Sequence, residues 1–179
     1  MRTKIMIIAA FILVLSVGVV SAEVPSVFEV NVLNYYTIQD LVDTDFATYT
    51  PGVRMALFIT EWFGLSGEAL LLEPFSGVLP NYSLLVTTDL VFRWPLGFFE
   101  MFGALGPAYD LTVNSGGITL PAKVKYSGRI GFDFNITPLF CVGIEAKHLL
   151  PDLSGLVAGT QGFDLLGDTF VGLGLKLKL

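Results

Sequence analysis

The single histidine, His148, is the residue of this chain best suited to acid–base chemistry, and Asp152 and Ser154 follow it closely. A histidine activates a serine hydroxyl only when the two side chains lie within hydrogen-bond reach. His148 ends an alternating apolar segment before Pro151, whereas Ser154 lies beyond that proline. The spacing therefore favours a histidine at a membrane interface over a catalytic pair, and we predict no catalytic residue and no enzymatic activity.

Two other features could hold a ligand. Asp40, Asp43 and Asp45 offer the oxygen atoms that hard cations prefer, but no bidentate glutamate completes a calcium loop. Cys141 is the only cysteine, so it forms no intramolecular disulfide, and by its parity it points inward as a small filler. HExxH, P-loop, CxxC and GxSxG motifs are absent. We therefore predict neither a metal site nor a cofactor.

Most of the remaining charges alternate with apolar residues. Between Ala122 and Ile136 the even positions are apolar or glycine, apart from Tyr126, while the odd positions carry charged, polar or glycine residues. This period of two indicates a strand, and its length exceeds the ~5–6 residues of an average strand in a soluble protein. If the apolar face contacts lipid, the charges face a narrow lumen, where they must pair. The predicted luminal charge network comprises Arg54, Glu68, Asp89, Arg93, Glu100, Lys125, Arg129, Asp133, Glu145 and Lys147.

Eight strands position these residues. Four are strongly marked, and four are weaker and are assigned partly by position; Arg54 and Glu61 fall on opposite parities of one weak strand, so its facing stays open. The strong strands are 82–94, 122–136, 139–149 and 170–179, and the weak ones are 27–36, 53–63, 65–72 and 98–105.

The connections alternate in length. Tight links are predicted at Gly64, at 95–97 and at 137–138, and long ones at 37–51, 73–80, 106–121 and 151–166. Short turns on one side and long loops on the other are typical of outer-membrane barrels. The fold class predicted is all-β: a closed antiparallel up-and-down transmembrane β-barrel of about eight strands, with both termini on the short-turn side.

Aromatic residues sort in the same way. We predict that two sets of them mark the two membrane interfaces. Packing in an ordinary core would explain the phenylalanines equally well, but it would not explain the clustering of tryptophan and tyrosine. The set beside the short turns is Trp62, Phe63, Trp94 and Phe98, and the set at the long loops is Tyr35, Tyr82 and Tyr109.

The N-terminus has the parts of a secretory signal: Arg2 and Lys4, an apolar run, and Val20-Ser21-Ala22 before Glu23. We predict a signal peptide at 1–22, which forms a helix and is cleaved, and a barrel domain at 23–179; an uncleaved anchor is the alternative. Removing the signal leaves 16 acidic and eight basic residues, a net charge of −8, which excludes a basic nucleic-acid surface.

The mean hydropathy of +0.70 fits a membrane protein, although no apolar run beyond the signal is long enough for a spanning helix. A soluble lipocalin-like barrel is the rival fold, since alternation alone does not say which face is inside.

On these residues the chain resembles the small eight-stranded outer-membrane barrels: the OmpA transmembrane domain, OmpX and especially OmpW. Residues 140–149 resemble the penultimate strand of that superfamily and 170–179 its closing strand, with His148 where a tyrosine is usual and Leu179 where a terminal phenylalanine is usual. His148 is also similar to the histidine of barrel-embedded lipid A deacylases.

The resemblance implies export to the outer membrane of a diderm bacterium. It implies outer-membrane lipids and the barrel-assembly machinery as partners, with small hydrophobic molecules as a further candidate. Three functions stay open: an envelope-structural or surface-interaction barrel, a narrow porin-like channel for small hydrophobic molecules, and a lipid A-modifying enzyme, in that order.

Overall fold

A computed structural model describes residues 27–45, 49–72, 82–114, 117–119, 124–150 and 164–179. The predicted signal peptide and its cleavage point lie outside these residues. The described part of the chain contains nine strands and one short helix. They are β1 (Phe28–Thr37), α1 (Ile38–Val42), β2 (Thr50–Phe58), β3 (Phe63–Leu72), β4 (Tyr82–Pro95), β5 (Phe99–Asn114), β6 (Gly117–Thr119), β7 (Lys125–Asn135), β8 (Phe140–Leu150) and β9 (Thr169–Lys178).

Eight of these strands form one closed sheet. Consecutive strands pair antiparallel from β1 to β5 and from β7 to β9, and β5 pairs with both β4 and β7. The first and last strands close the ring, with Glu29 opposite Lys178 at one end and Thr37 opposite Phe170 at the other. β6 is a short addition that pairs only with the far end of β5. The predicted closed antiparallel up-and-down barrel is therefore confirmed.

The apolar face of each strand points outward. On β7, Ile130 and Phe132 are 67% and 41% exposed, while Arg129 and Asp133, which flank this pair in sequence, are 3% and 1% exposed. A soluble barrel would bury the first pair and expose the second. The lipocalin-like alternative is therefore wrong for this chain.

Three short turns lie at one end of the barrel, which we call the short-turn end. The turn between β2 and β3 spans 59–62, where Thr60 Oγ1 accepts hydrogen bonds from the amides of Trp62 and Phe63. The prediction of a turn at Gly64 is wrong, since Gly64 lies within β3. A Cβ atom there would be 2.6 Å from the carbonyl oxygen of Leu57, so the close approach of β2 and β3 requires a glycine.

This turn also settles the facing of β2. Arg54 points into the lumen, whereas Glu61 is an exposed turn residue and belongs to no strand face. Their opposite parity reflects a chain reversal between them, and no strand distortion is needed.

At the opposite end, the long-loop end, β5 extends further than predicted. The loop predicted at 106–121 is partly strand, because β5 continues to Asn114 and turns back into β6. Gly106 permits this continuation, since a Cβ atom there would collide with the backbone of Thr88 on β4.

Helix α1 follows β1 at the long-loop end. Thr37 is its N-cap: Thr37 Oγ1 accepts from the Asp40 amide at 3.1 Å, and the Asp40 carboxylate accepts from the Thr37 amide at 3.1 Å. The capping role accounts for Asp40 at this position. Among the described residues, no helix has the length and apolar character needed to cross a membrane.

Candidate functional site

The lumen of the barrel carries a balanced set of charges. Alternation along each strand directs every second side chain inward. Among the described residues, six acidic and six basic side chains are buried there, so the interior is neutral. The acids are Glu29, Glu68, Asp89, Glu100, Asp133 and Glu145, and the bases are Arg54, Arg93, Arg129, Lys147, Lys176 and Lys178.

One half of this set forms a cluster at mid-height of the barrel, centred on Arg54 and Glu68. These two residues face each other across β2 and β3, with Arg54 Nε 2.7 Å from Glu68 Oε2. Arg54 also binds Glu145 on the far wall and donates to the Tyr35 hydroxyl at 2.8 Å. Because the guanidinium has several donors in one plane, it can hold two carboxylates at once.

Two further bases complete this cluster. Arg129 lies 3.0 Å from Glu68 and 3.2 Å from Asp89, and Lys147 forms an ion pair with Glu68. Glu68 therefore forms ion pairs with three basic side chains. We call this cluster the outer layer; it comprises Arg54, Glu68, Asp89, Arg129, Glu145 and Lys147.

The other half lies nearer the short turns. Lys176 on β9 forms ion pairs with Asp133 and, at 3.0 and 3.6 Å, with Glu29 and Glu100. Arg93 lies 2.7 Å from Glu29, and Lys178 lies 3.4 Å from Glu100. We call this cluster the inner layer; it comprises Glu29, Arg93, Glu100, Asp133, Lys176 and Lys178.

Each layer is neutral by itself, since each contains three acids and three bases. Every ion pair named above joins two residues of the same layer. A buried charge without a partner would cost several kcal/mol, and a neutral layer avoids that cost locally. The lumen thus holds two stacked ionic layers, and each layer forms its ion pairs among its own residues.

Above the outer layer, at the long-loop end, the lumen is filled by apolar side chains. Tyr35 contributes its ring to this cluster, where it packs edge-on against Phe170 at 6.3 Å, and its hydroxyl to the outer layer. We call the cluster the luminal cap; it comprises Leu33, Tyr35, Leu70, Leu85, Ala108, Leu149 and Phe170.

A cavity of about 20 Å³ lies between the two ionic layers. Arg54 and Arg129 of the outer layer line it, as do Glu29, Glu100 and Lys176 of the inner layer. The remaining lining residues are Asn31, Ala56, Phe58, Val91 and Phe102.

The structure places the predicted charge network as follows. Nine of the ten residues are buried in the two layers, and Lys125 is not. Lys125 is the first residue of β7; its side chain is 40% exposed and pairs with Asp110 at 2.7 Å. The predicted network did not include Glu29, Lys176 and Lys178, although their positions in the alternating pattern of β1 and β9 indicate that they face the lumen.

The residues predicted as interface aromatics fall into three groups by their exposure. Trp62, Trp94 and Phe98 are exposed at the short-turn end, and Tyr82 is exposed at the long-loop end; Phe63 and Tyr109 are half-buried. Tyr35 is a correction, because it is completely buried in the lumen. It shares its strand face with Asn31 and Leu33, and the neighbouring Tyr36 takes the outward position.

Two residues considered for chemistry lie on opposite faces of β8. Cys141 is buried in the lumen, with its Sγ 3.0 Å from Asn135 Oδ1. His148 faces outward near the long-loop end, with Nδ1 2.8 Å from Thr169 Oγ1 on β9. Asp152 and Ser154 lie outside the described residues.

An apolar exterior around a charged, ion-paired interior is the arrangement of barrels that cross membranes with strands. Solved structures agree. The N-terminal β-barrel domain of Pseudomonas aeruginosa OprF is similar, with a TM-score of 0.59, 12% sequence identity, and coverage of 85% of this chain and 96% of that chain. A de novo designed transmembrane β-barrel is also similar, with a TM-score of 0.51, 12% identity, and coverage of 89% and 100%.

The fold is that of a small transmembrane β-barrel. No family model matches the sequence, and no curated protein sequence does. The resemblance to solved barrels therefore concerns architecture alone, and the function has to be argued from the lumen and the outer wall.

The outer wall of the transmembrane barrel carries a groove of about 460 Å³ across β5, β7 and β8. Its floor consists of outward-facing positions with little or no side chain: Gly103, Gly128 and Ala146. Nothing in the barrel requires glycine at Gly128, because a Cβ atom there would make only an ordinary contact with Leu105, at 3.7 Å. The groove is thus an open depression in the wall, and His148 and Thr169 border it at the long-loop side.

Proposed function

We propose that this protein is a non-enzymatic integral outer-membrane barrel with a closed lumen, which serves envelope structure or surface interaction. The observation that carries the proposal is the filling of the lumen. Two neutral ionic layers and an apolar cap occupy the interior in succession along the barrel axis. Export through the secretory pathway, assembly by the barrel-assembly machinery and contact with outer-membrane lipids belong to the same proposal.

The packing of the layers supports a sealed barrel. An eight-stranded barrel has an interior just wide enough for side chains to fill. The side chains of Glu68, Lys147 and Asp89 are completely buried, and Arg129 is 1% exposed at its side chain. The cavity between the layers, at about 20 Å³, has the volume of a water site and not that of a solute path.

Heat-modifiable migration tests the location and the barrel together. Membranes of cells that express the chain are solubilised, and unheated and boiled samples are compared on a detergent gel. We expect the protein in the outer-membrane fraction and a shift in apparent size on boiling, since a closed barrel resists detergent until heated. Recovery in the soluble periplasmic extract, with no shift, would contradict the proposal.

Conductance tests the closed lumen. Purified protein is inserted into planar bilayers and into liposomes loaded with a small solute. We expect leakage equal to that of empty vesicles, while a general porin in the same preparation conducts. Sustained channel steps from the wild-type protein would overturn the closed-lumen proposal but leave the location untouched.

A second candidate function, the handling of small hydrophobic molecules, is favoured by the outer groove. The groove lies on the apolar wall and has the volume of a typical ligand pocket, about 300–1,000 Å³. Gly128→Leu should fill it, and Gly67→Leu is a matched control, because Gly67 faces outward on β3 with open space around it. Uptake of a fluorescent hydrophobic probe that falls in Gly128→Leu and not in Gly67→Leu would favour this function.

The absence of enzymatic activity is also part of the proposal. The His148 ring contacts a threonine hydroxyl on the outer wall, and no group of three metal-binding side chains occurs among the described residues. His148→Ala should leave the lipid A profile of the cells unchanged. A change of acyl-chain number in that profile that depends on His148 would replace the structural function by an enzymatic one.

A further inference from the structure

Three residues that line the cavity between the two ionic layers each carry a buried polar atom without a hydrogen-bond partner, although Glu100 Oε1 also lies 3.6 Å from Lys176 Nζ. Among the described residues, Asn31 Oδ1, Glu100 Oε1 and Arg129 Nε are buried without a hydrogen-bond partner. Each of the three side chains belongs to a residue that is only 3% exposed, and all three residues line this cavity. Buried polar atoms in proteins nearly always find partners, and a shared cavity is where an ordered water supplies them.

The chemistry of the three atoms identifies the ligand. Two are oxygen acceptors and one is an N–H donor. A water molecule offers two donors and two acceptor sites, so it can accept from Arg129 and donate to Asn31 and Glu100. A cation would meet the guanidinium of Arg129, and an anion would meet the carboxylate of Glu100. The set therefore fits a neutral molecule that both donates and accepts.

The volume restricts the ligand further. A cavity needs roughly 10–15 Å³ to hold one water, and this one has about 20 Å³. No organic solute fits that space. Ala56, Phe58, Val91 and Phe102 form the apolar part of the wall, and Glu29, Arg54 and Lys176 also line the cavity.

We propose that one buried water occupies this cavity and hydrogen-bonds to Asn31, Glu100 and Arg129. Arg129 belongs to the outer layer and Glu100 to the inner layer, so the water joins two clusters that are otherwise paired within themselves. It makes the polar interior continuous from the Tyr35 hydroxyl to Lys178. The inference concerns the lumen alone and does not depend on where in the cell the barrel resides.

A crystal structure of the full chain at a resolution that shows ordered solvent is the test. We expect one solvent peak within hydrogen-bond distance of all three atoms. An empty cavity, or a peak with the short contacts of a metal ion or with chloride, would overturn the proposal. Nuclear magnetic resonance of the protein in detergent micelles tests the same point in solution. A bound water should give strong magnetisation transfer from water to the buried Arg129 Nε–H proton, and absence of this transfer would contradict the proposal.

Two substitutions on β1 distinguish a specific loss of the water site from a general effect of replacing asparagine by leucine. Asn31→Leu removes an acceptor and fills the cavity, so the solvent peak should disappear. Asn34→Leu is the matched control, because Asn34 faces outward on β1, and the peak should remain. Retention of the water in Asn31→Leu, or its loss in Asn34→Leu, would contradict the assignment.

Asn31→Ala keeps the test decisive if the leucine variant does not fold. Alanine enlarges the cavity without filling it, so a second water should take the place of the amide. A single unchanged peak would mean that Asn31 takes no part in the site, and the proposal would fail.

Discussion

Glu100 on β5 and Asp133 on β7 lie directly opposite each other, with both side chains buried in the lumen. Like charges at opposite positions of neighbouring strands repel each other. Lys176 from β9 forms ion pairs with both carboxylates and with Glu29. β9 therefore closes the barrel, and its Lys176 also supplies the positive charge that offsets the repulsion between Glu100 and Asp133.

The first prediction concerns the two lysines of β9. Lys176→Met should lower the free energy of unfolding by about 3–5 kcal/mol, because it leaves buried carboxylates without their shared cation. Lys178→Met is the matched control: Lys178 contacts Glu100 at 3.4 Å and Asn135 at 3.0 Å and should cost clearly less. Urea unfolding in liposomes measures both. Equal losses for the two variants would show that Lys176 has no special role.

The second prediction concerns the tyrosine that links the luminal cap to the outer layer. Tyr35→Phe removes a hydroxyl that contacts Arg54 at 2.8 Å and also Glu145. Hydrogen bonds to charged groups contribute about 1.5–3 kcal/mol, so a loss of that size is expected in the same assay. Tyr126→Phe, on the outward face of β7, should change stability little. A Tyr35 variant as stable as wild type would place its hydroxyl outside the network.

Sequence reasoning recovered the barrel because the pattern that defines it is local. The strict alternation of β7 and β8 can be read from consecutive residues, and it determines which side chains share a face. Arg129, Asp133, Glu145 and Lys147 could therefore be assigned to one surface. Membership of a layer is different, because it depends on strand register and height. Lys125 shares the parity of Arg129, yet it ends up at the rim, since parity carries no information about depth.

Two further errors have the same origin. Tyr35 and Tyr36 are adjacent in sequence, and aromatic clustering alone could not decide which faces lipid and which faces the lumen; the register of β1 decides it. Gly64 has the composition of a turn, but its glycine serves the close approach of two strands. The luminal cap was not predicted for a related reason, since its seven residues come from six different strands and meet only after closure.

The third prediction is that the lumen stays closed when only one of the two ionic layers is disrupted. Arg54→Ala combined with Glu145→Ala removes an ion pair from the outer layer without changing net charge, and the inner layer stays complete. Conductance of this variant in planar bilayers should remain at the wild-type baseline, because the inner layer and the luminal cap still fill the lumen. Arg93→Ala combined with Glu29→Ala is the reciprocal variant in the inner layer. Channel steps from either balanced variant would show that one layer alone sets the seal.

The fourth prediction concerns two glycines on the same strand. At Gly64 a Cβ atom would lie 2.6 Å from the Leu57 carbonyl oxygen and 2.8 Å from Phe58, whereas at Gly67 it would meet nothing within 4 Å. Gly64→Ala should therefore force β2 and β3 apart and cost about 1–3 kcal/mol. Gly67→Ala should be neutral or stabilise by about 0.5–1 kcal/mol, because alanine restricts the unfolded chain and suits a strand better than glycine. Urea unfolding of both variants in liposomes decides the matter. If Gly64→Ala were as stable as Gly67→Ala, strand spacing would not explain the glycine, and a turn-forming role at that position would return.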